Sequence, residues 1–510
     1  MTPRLGILAI LLSTAGVADA ETLADAIIDA YRNNPRLQAE RAELRALDES
    51  IIQASAPYRM SAGVTATIGY NDRLQRSAFS EGFSRFEQRS MGTSLSISQL
   101  LSSGGRTAAQ LSAAEADVLA ARERLRQAEN ETLLQVVDAY VAVRRDLDLV
   151  DIQMQSIESY RRQAAQNRMR EREGDLTRTD VAQAEAQLLI IQSALAQAEA
   201  GLEQSRSRFA VVVGRNPGTL EPPPPLPGIP ATIDAGYAVA ERESPTLWQS
   251  ILAERASRRR IAAERAERNP TISAQGSFGY VNPLGYQVRD LGRTVSGGIT
   301  VTLPLLTQGV VGSRVRAAIA QQQAAAFQVE DARRSVDAGL LNSWNQTATA
   351  DRQIASGEAA VAAARLALDG VRQAFAEGYR SSFELIDSEQ RLLNARVIVA
   401  NARYGRYTGQ ATLLAQLGRL QVATLIPDAP RYDATADLKR NRAWQFGPFE
   451  PLADLIDRPQ MPGDRSRRPV VPGAPVQAQI APAGPAGPDR PLARALPLPR
   501  PDAPSPPSQE

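Results

Sequence analysis

The sequence predicts an α+β membrane protein with two internal repeats, long helices outside the membrane and strands inside it. Three observations carry this reading. Helical periodicity persists over segments of about 70 residues, which would run about 105 Å at 1.5 Å per residue, longer than any single soluble core needs. Four segments of about ten residues alternate apolar with small polar side chains, the signature of barrel-wall strands. Both features occur twice, offset by about 204 residues.

The repeat is plainest at two stretches, Arg172-Glu173-Gly174-Asp175-Leu176-Thr177-Arg178-Thr179-Asp180 and Glu377-Gly378-Tyr379-Arg380-Ser381-Ser382-Phe383-Glu384-Leu385-Ile386-Asp387. Each reads as a hairpin tip between long helices. Gly174 and Gly378 suit the left-handed position just past a helix end. Thr177-x-x-Asp180 and Ser381-x-x-Glu384 are capping-box patterns that start the next helix.

In chain order, residues 1–20 (MTPRLGILAILLSTAGVADA) read as a secretory signal. Arg4 gives the positive end, Leu5 to Leu12 the apolar run and Ala18-Asp19-Ala20 the small-residue cleavage pattern, so that the mature chain would start at Glu21. No later stretch approaches the apolar length of a transmembrane helix. Repeat 1 spans 21–213. It opens with a helix over 22–56, its apolar face carrying Leu23, Ala26, Ile27, Ala30 and Tyr31 and its course bent at Asn33-Asn34-Pro35. A strand hairpin over 61–101 follows, in which Val64, Ala66, Ile68 and Tyr70 alternate with Gly63, Thr65, Thr67 and Gly69. Gly104 and Gly105 mark a tight turn into the long helix. That helix carries the seam Leu111, Ala114, Val118, Ala121 and Leu125 at coiled-coil spacing. After the tip at 174–180 comes a second helix to about residue 213.

A Pro-rich linker, 214–232, leads to repeat 2 at 233–420, with a strand hairpin over 271–305, a turn at Gly309 and a tip at 378–387. Val315, Ala318, Gln322, Ala325 and Val329 repeat the first seam. Stacked end to end, helices 22–56 and 177–213 match the long helix in length and fit antiparallel beside it. The remainder, 421–510, reads as a C-terminal extension. It is expected to be largely disordered, and from residue 459 it is rich in Pro, Ala, Arg and Gln.

Composition narrows the function. The 510 residues are 43% hydrophobic and carry a net charge of +2, which gives no argument for nucleic acid. There is no cysteine and no histidine. That removes disulfides, thiolate metal sites, the usual general base and the commonest metal ligand. No catalytic constellation, cofactor site or metal site is expected. Ser102-Ser103-Gly104-Gly105-Arg106 lacks the Lys-Ser/Thr ending of a phosphate loop, and Arg258-Arg259-Arg260 reads as a solvated helix face.

Four strands cannot stand alone in lipid, because their edges leave N–H and C=O groups unsatisfied. Two chains would supply eight strands and three would supply twelve. Eight-stranded barrels are filled by side chains; the small polar inward candidates favour the wider, trimeric version.

With tips, duplicated strands and glycine junctions in place, residues 22–420 resemble the TolC family of outer-membrane channels. The motifs that agree in order are Asn33-Asn34-Pro35, Gly104-Gly105, Thr179-Asp180-Val181, Leu385-Ile386-Asp387 and Asn401-Ala402-Arg403-Tyr404. The resemblance implies a homotrimeric tunnel, with a twelve-stranded β-barrel in outer-membrane lipid and a helical coiled-coil barrel extending into the periplasm. It implies export of a substrate, protein or small molecule, when docked to a periplasmic adaptor (membrane fusion protein) and an inner-membrane ABC or RND-type pump. Type I protein secretion is the leading expectation, multidrug efflux the alternative, and a non-channel trimeric stalk or adhesin the reading from another class. By resemblance, Glu384 and Asp387, one turn apart, form an acidic selectivity ring, with Glu384 standing where the family usually has Asp. Arg380 would close the mouth against Thr179 and Asp180, and Phe375 replaces a tyrosine that contacts that aspartate.

Overall fold

The computed structural model describes residues 21–76, 82–444 and 450–462, the side chains of 442–444 excepted. The signal expected at 1–20, the Trp444–Phe449 aromatic side chains and the tail beyond residue 462 lie outside the described residues.

Local chemistry sets the first joint. Thr22 and Asp25 form a reciprocal capping box that starts α1 (Leu23–Asn33). Asn34 ends α1 and caps α2 (Pro35–Ser55), its Oδ1 accepting the Arg36 N–H at 3.0 Å. Pro35 occupies the first helical position, where its missing N–H costs nothing. The bend at Asn33-Asn34-Pro35 is therefore a joint between two helices.

A short 3₁₀ turn (Ala56–Tyr58) leads into β1 (Ser61–Arg76), and β2 (Phe83–Ser102) returns antiparallel. With β3 (Thr271–Asn282) and β4 (Gly292–Thr302) they make one antiparallel sheet in the order β1-β2-β3-β4. β1 and β2 run well beyond the ten-residue periodicity. β4 stops at Thr302, short of residue 305, because Pro304 has no N–H to pair. The register sorts the two faces. Val64, Leu95, Phe278 and Val295 lie abreast across all four strands; one residue along, Gly63, Ser96, Ser277 and Ser296 do the same. The first row is apolar and exposed on the isolated chain, and the second is small and polar. Such a sheet buries neither face in its own chain. Both edges, β1 and β4, are open.

Below the sheet run α3 (Arg106–Glu173), of 68 residues, and α7 (Val310–Ala376), of 67. The shorter α4 (Arg178–Val213) and α8 (Ser382–Gln416) follow the tips, and α5 (Ile233–Glu243) and α6 (Pro245–Ala266) precede β3. α2 and α4 both pack along α3, and α6 and α8 both pack along α7 as well as α3. The short helices meet head to tail: Asn34 Nδ2 donates to the Val212 carbonyl, 3.1 Å away, in the last turn of α4. In repeat 2 the corresponding joint is the Arg419–Glu243 ion pair at 2.8 Å. The largest core lies at this level, where Val136, Val137 and Tyr140 of α3 pack on Ile27, Phe209, Leu413 and Leu414. The Pro-rich linker is docked there too. Leu220 and Leu226 are buried in the core, and Tyr407 donates to the Pro224 carbonyl at 2.8 Å.

The C-terminal extension departs from the expectation of disorder up to residue 462. After α8 come α9 (Val422–Leu425), α10 (Ala436–Trp444) and α11 (Glu450–Asp457). Tyr432 and Tyr31 sandwich the buried Arg41 guanidinium, with ring centroids at 5.0 and 4.4 Å. Leu438 packs against the buried cluster of Ile51, Leu111, Ala114 and Val118. These anchors are spaced too widely to register as a period, so the order of the described residues in 421–462 left no mark in the sequence pattern.

The strand-to-helix turns differ between repeats. Gly104 and Gly105 have φ of +67° and +88°, and Gly309 has +78°. A Cβ on Gly104 would stand 2.4 Å from the Asn269 Cβ, and one on Gly105 2.5 Å from the Met461 nitrogen, whereas Gly309 has open space. Gln308, the repeat-2 counterpart of Gly104, adopts φ +50° without glycine. Gly309→Ala should therefore cost only the left-handed backbone, about 1 kcal/mol. Gly105→Ala should cost several times that and lower the trimer's dissociation temperature on a heated gel.

Candidate functional site at the helical tips

The two tips form by the expected chemistry. Gly174 (φ +86°) ends α3, with the Asp175 N–H donating to the Arg170 carbonyl at 2.9 Å; Gly378 (φ +84°) follows α7, with Tyr379 donating to Ala374 at 2.8 Å. Asp180 completes a reciprocal capping box with Thr177. At the second tip only half the box forms. The Ser381 hydroxyl accepts the Glu384 N–H at 3.3 Å, but the Glu384 carboxylate turns to Arg380 at 2.7 Å.

That pairing changes the picture drawn from the sequence. Within one chain Arg380 meets neither Thr179 nor Asp180. Glu384 lies one turn away on the same face, nearer than the other hairpin, and the Asp180 carboxylate is held by the Thr177 hydroxyl at 2.7 Å. Asp387 is likewise paired, with Arg391 at 2.6 Å. Both carboxylates are part-exposed, so each pair contributes at most about 1 kcal/mol. The acidic positions thus carry their own arginines.

The two hairpins are joined inside a chain by α4, where Gln187 donates to Gln390 of α8 at 3.1 Å, and by a larger set of contacts from α3. Arg170 Nη1 and Nη2 donate to the Phe375 and Ala376 carbonyls at 2.8 and 2.6 Å, and the guanidinium lies 4.9 Å from the Phe375 ring centroid. A cation on the last carbonyls of α7 opposes that helix's negative end. Phe375 is buried with Leu368, Leu385 and Leu392, against Leu176 of the first tip. It therefore serves as an apolar plug at the place where the resemblance put a tyrosine.

Above it, Asn167 Nδ2 donates to the Ser382 hydroxyl at 2.6 Å, both side chains fully buried. Gln163 Nε2 reaches the Ser382 carbonyl at 3.4 Å, and the Tyr160 hydroxyl the Ile386 carbonyl at 3.3 Å. Burial, and after it the nearby Glu389 carboxylate, push the Tyr160 phenol up, keeping it a neutral donor. Glu389, also buried, accepts from Ser159 at 2.7 Å and Arg372 at 3.0 Å.

None of these residues stood out from the sequence, yet a signal was present. At the repeat offset, Gln163, Asn167 and Arg170 correspond to Ala367, Val371 and Ala374. A polar row in one repeat with an apolar counterpart in the other marks where the repeats stop being equivalent. Among the described residues no cluster suited to a metal ion occurs, and no helix is long and apolar enough to cross a membrane.

Comparison with known proteins agrees with this architecture. The family model described as outer membrane efflux protein matches residues 26–215 and 237–419, one segment per repeat. The chain is 29% identical over 441 residues to the outer membrane efflux protein BepC of Brucella suis, covering 84% of this chain and 94% of that one. It is 26% identical over 320 residues to the alkaline protease secretion protein AprF of Pseudomonas aeruginosa, covering 61% and 66%. The solved outer-membrane channel OprN superposes with a TM-score of 0.70 at 22% identity, covering 78% of this chain and 89% of that one. Channels of this family are trimers that work with adaptor proteins and inner-membrane pumps, and its members are channel proteins rather than enzymes. A trimer turns the open four-stranded sheet into a closed twelve-stranded barrel, which sets aside the reading as a stalk or adhesin. The chain belongs to the outer membrane efflux protein family, the TolC-like channels: a homotrimeric tunnel that sits in the outer membrane and extends into the periplasm.

Proposed function

We propose that this channel is the exit duct of a type I protein secretion system, docked through a periplasmic adaptor to an inner-membrane pump of the ABC class. The observation behind this is the polar face of the sheet. Gly63, Ser96, Ser277 and Ser296 form one row and Thr65, Ser94, Gly279 and Thr294 the next. At these rows three such sheets enclose a bore of small, uncharged side chains, fit for an extended polypeptide. Similarity to AprF, a protease secretion protein, supports the same reading. Multidrug efflux, with an RND-type pump, is the second reading, favoured by the similarity to BepC across most of both chains.

A deletion strain decides between them. Loss of one or a few large secreted proteins with unchanged drug susceptibility is the expected result. Raised susceptibility with an intact secretome would assign the chain to efflux instead.

In this reading the tips are the gate. Glu384 and Asp387 from three chains line the mouth as a ring of six carboxylates, tempered by Arg380 and Arg391. Arg380 exchanges its exposed partner Glu384 for Thr179 and Asp180 of a neighbouring protomer when the mouth is shut. Arg380→Ala or Asp180→Ala should then raise conductance in planar bilayers, and Arg380→Ala should also sharpen cation preference by unpairing Glu384. Unchanged conductance in both variants would sink the cross-chain lock.

A further inference from the structure

The two repeats are finished differently where strands meet helices. In repeat 1 that junction is covered by the C-terminal extension. Asp457, fully buried, accepts from the Tyr58 hydroxyl at 2.9 Å, the Ser102 hydroxyl at 3.0 Å, the Ser103 N–H at 2.7 Å, the Gly105 N–H at 3.0 Å and the Ser103 hydroxyl. Glu450, at the other end of α11, pairs with Arg59 at 3.3 Å. α11 is thus fastened at one end to Arg59, just before β1, and at the other to Tyr58 and the turn that follows β2, at the β1–β2 side of the foot of the sheet.

In repeat 2 the same junction is bare among the described residues. Leu305 is 83% exposed and Leu306 94%, with Leu303 and Val310 also exposed. α11 buries Ala453 and Asp457 but turns Leu452, Leu455 and Ile456 outward, a stripe at i, i+3 and i+4, with Leu455 71% exposed. One protomer therefore carries two uncovered apolar surfaces at the foot of its sheet, one at each edge.

Barrel closure brings them together. The sheet order leaves β1 and β4 as edges, so β4 of one protomer pairs with β1 of the next. Along each chain β1 begins at Ser61 at the end where β4 finishes at Thr302. Antiparallel pairing across the seam therefore sets Leu303 to Leu306 beside the Tyr58–Ser61 segment of the adjacent protomer, where its α11 is fastened. We infer that α11 is an inter-protomer staple: its Leu452, Leu455 and Ile456 stripe covers Leu303, Leu305 and Leu306 of the adjacent copy, continuing the barrel seam below the membrane. The occupant of each apolar surface is a second copy of this chain.

The absence of native cysteine makes this directly testable. The double variants Leu305→Cys with Leu455→Cys, and Leu306→Cys with Ile456→Cys, should give covalent dimers and trimers on non-reducing gels of boiled samples, collapsing to monomer with reductant. The triple variant Leu452→Ser, Leu455→Ser, Ile456→Ser should lower the temperature at which the native trimer falls to monomer in SDS. The inference is overturned if neither cysteine pair cross-links while a seam pair, Ser61→Cys with Thr302→Cys, does. It is equally overturned if bimane attached to Leu455→Cys is strongly quenched by brominated phospholipid, which would put the stripe in the lipid.

Discussion

Asp457→Ala should free the end of the C-terminal extension from the foot of the sheet, exposing residues 450–462 to protease in the otherwise intact trimer. Five donors converge on this one carboxylate. Removing it strands at least the Ser103 and Gly105 N–H groups in a buried turn. Each unsatisfied buried group costs about 1–3 kcal/mol, and loss of a buried charged partner about 3–5 kcal/mol in total. The pH dependence has a definite sign. Burial pushes the Asp457 carboxyl up, but the Ser103 hydroxyl, the Gly105 N–H, Tyr58 and the Ser103 N–H together hold it below the usual carboxylate range. A depressed folded-state pKa gives stabilisation that is complete above the unfolded value, about 3.9, and lost only as pH falls through the folded one. The docked extension should resist protease through the neutral and mildly acidic range and yield below about pH 4. Wild-type resistance matching that of Asp457→Ala at pH 7 would contradict this.

Arg170→Ala should open the tips. The two charge-assisted bonds to the Phe375 and Ala376 carbonyls sit at a helix C-terminus, where such a cation is worth about 1–2 kcal/mol. Three protomers bring this to about 3–6 kcal/mol if the tips move together, a shift of about two to four powers of ten in the closed-to-open ratio. Single-channel conductance and open probability in planar bilayers read it directly. Arg170→Lys keeps the charge but loses the two-pronged fork and should fall between. An Arg170→Ala channel that gates like wild type would remove Arg170 from the closed state.

Much of this architecture was legible because it obeys short periods. Alternation in Val64–Tyr70, the seam from Leu111 to Leu125 and the glycines at both tips are local patterns, and each falls in a strand, a long helix or a turn of the expected type. The TolC-like channel fold was expected from the family resemblance that the duplicated motifs carry. What escaped notice depends on pairings far apart in sequence. Arg170 meets Phe375, and Asp457 meets Ser103, across separations no periodicity samples. The residues proposed for the gate fall between these cases. Glu384 and Asp387 stand where the motif puts them, on the first turns of α8, yet their nearest charges, Arg380 and Arg391, lie on the same local stretch. A motif names positions and is silent on which neighbour wins a carboxylate.

The head-to-tail joint at Asn34 and Val212 has a mechanical consequence. Beside every unbroken spar, α3 or α7, stands a strut spliced at mid-height. In repeat 1 that splice carries a side-chain amide on a carbonyl; in repeat 2 it carries the Arg419–Glu243 pair. The splices lie in the largest core, where Phe209 and Val213 of α4 and Leu413 and Leu414 of α8 are buried, so both struts are held at this level. A strut held at one end is a cantilever: its displacement is smallest at the splice and grows toward the tips. Motion at the mouth is thereby kept away from the strands that seal the membrane.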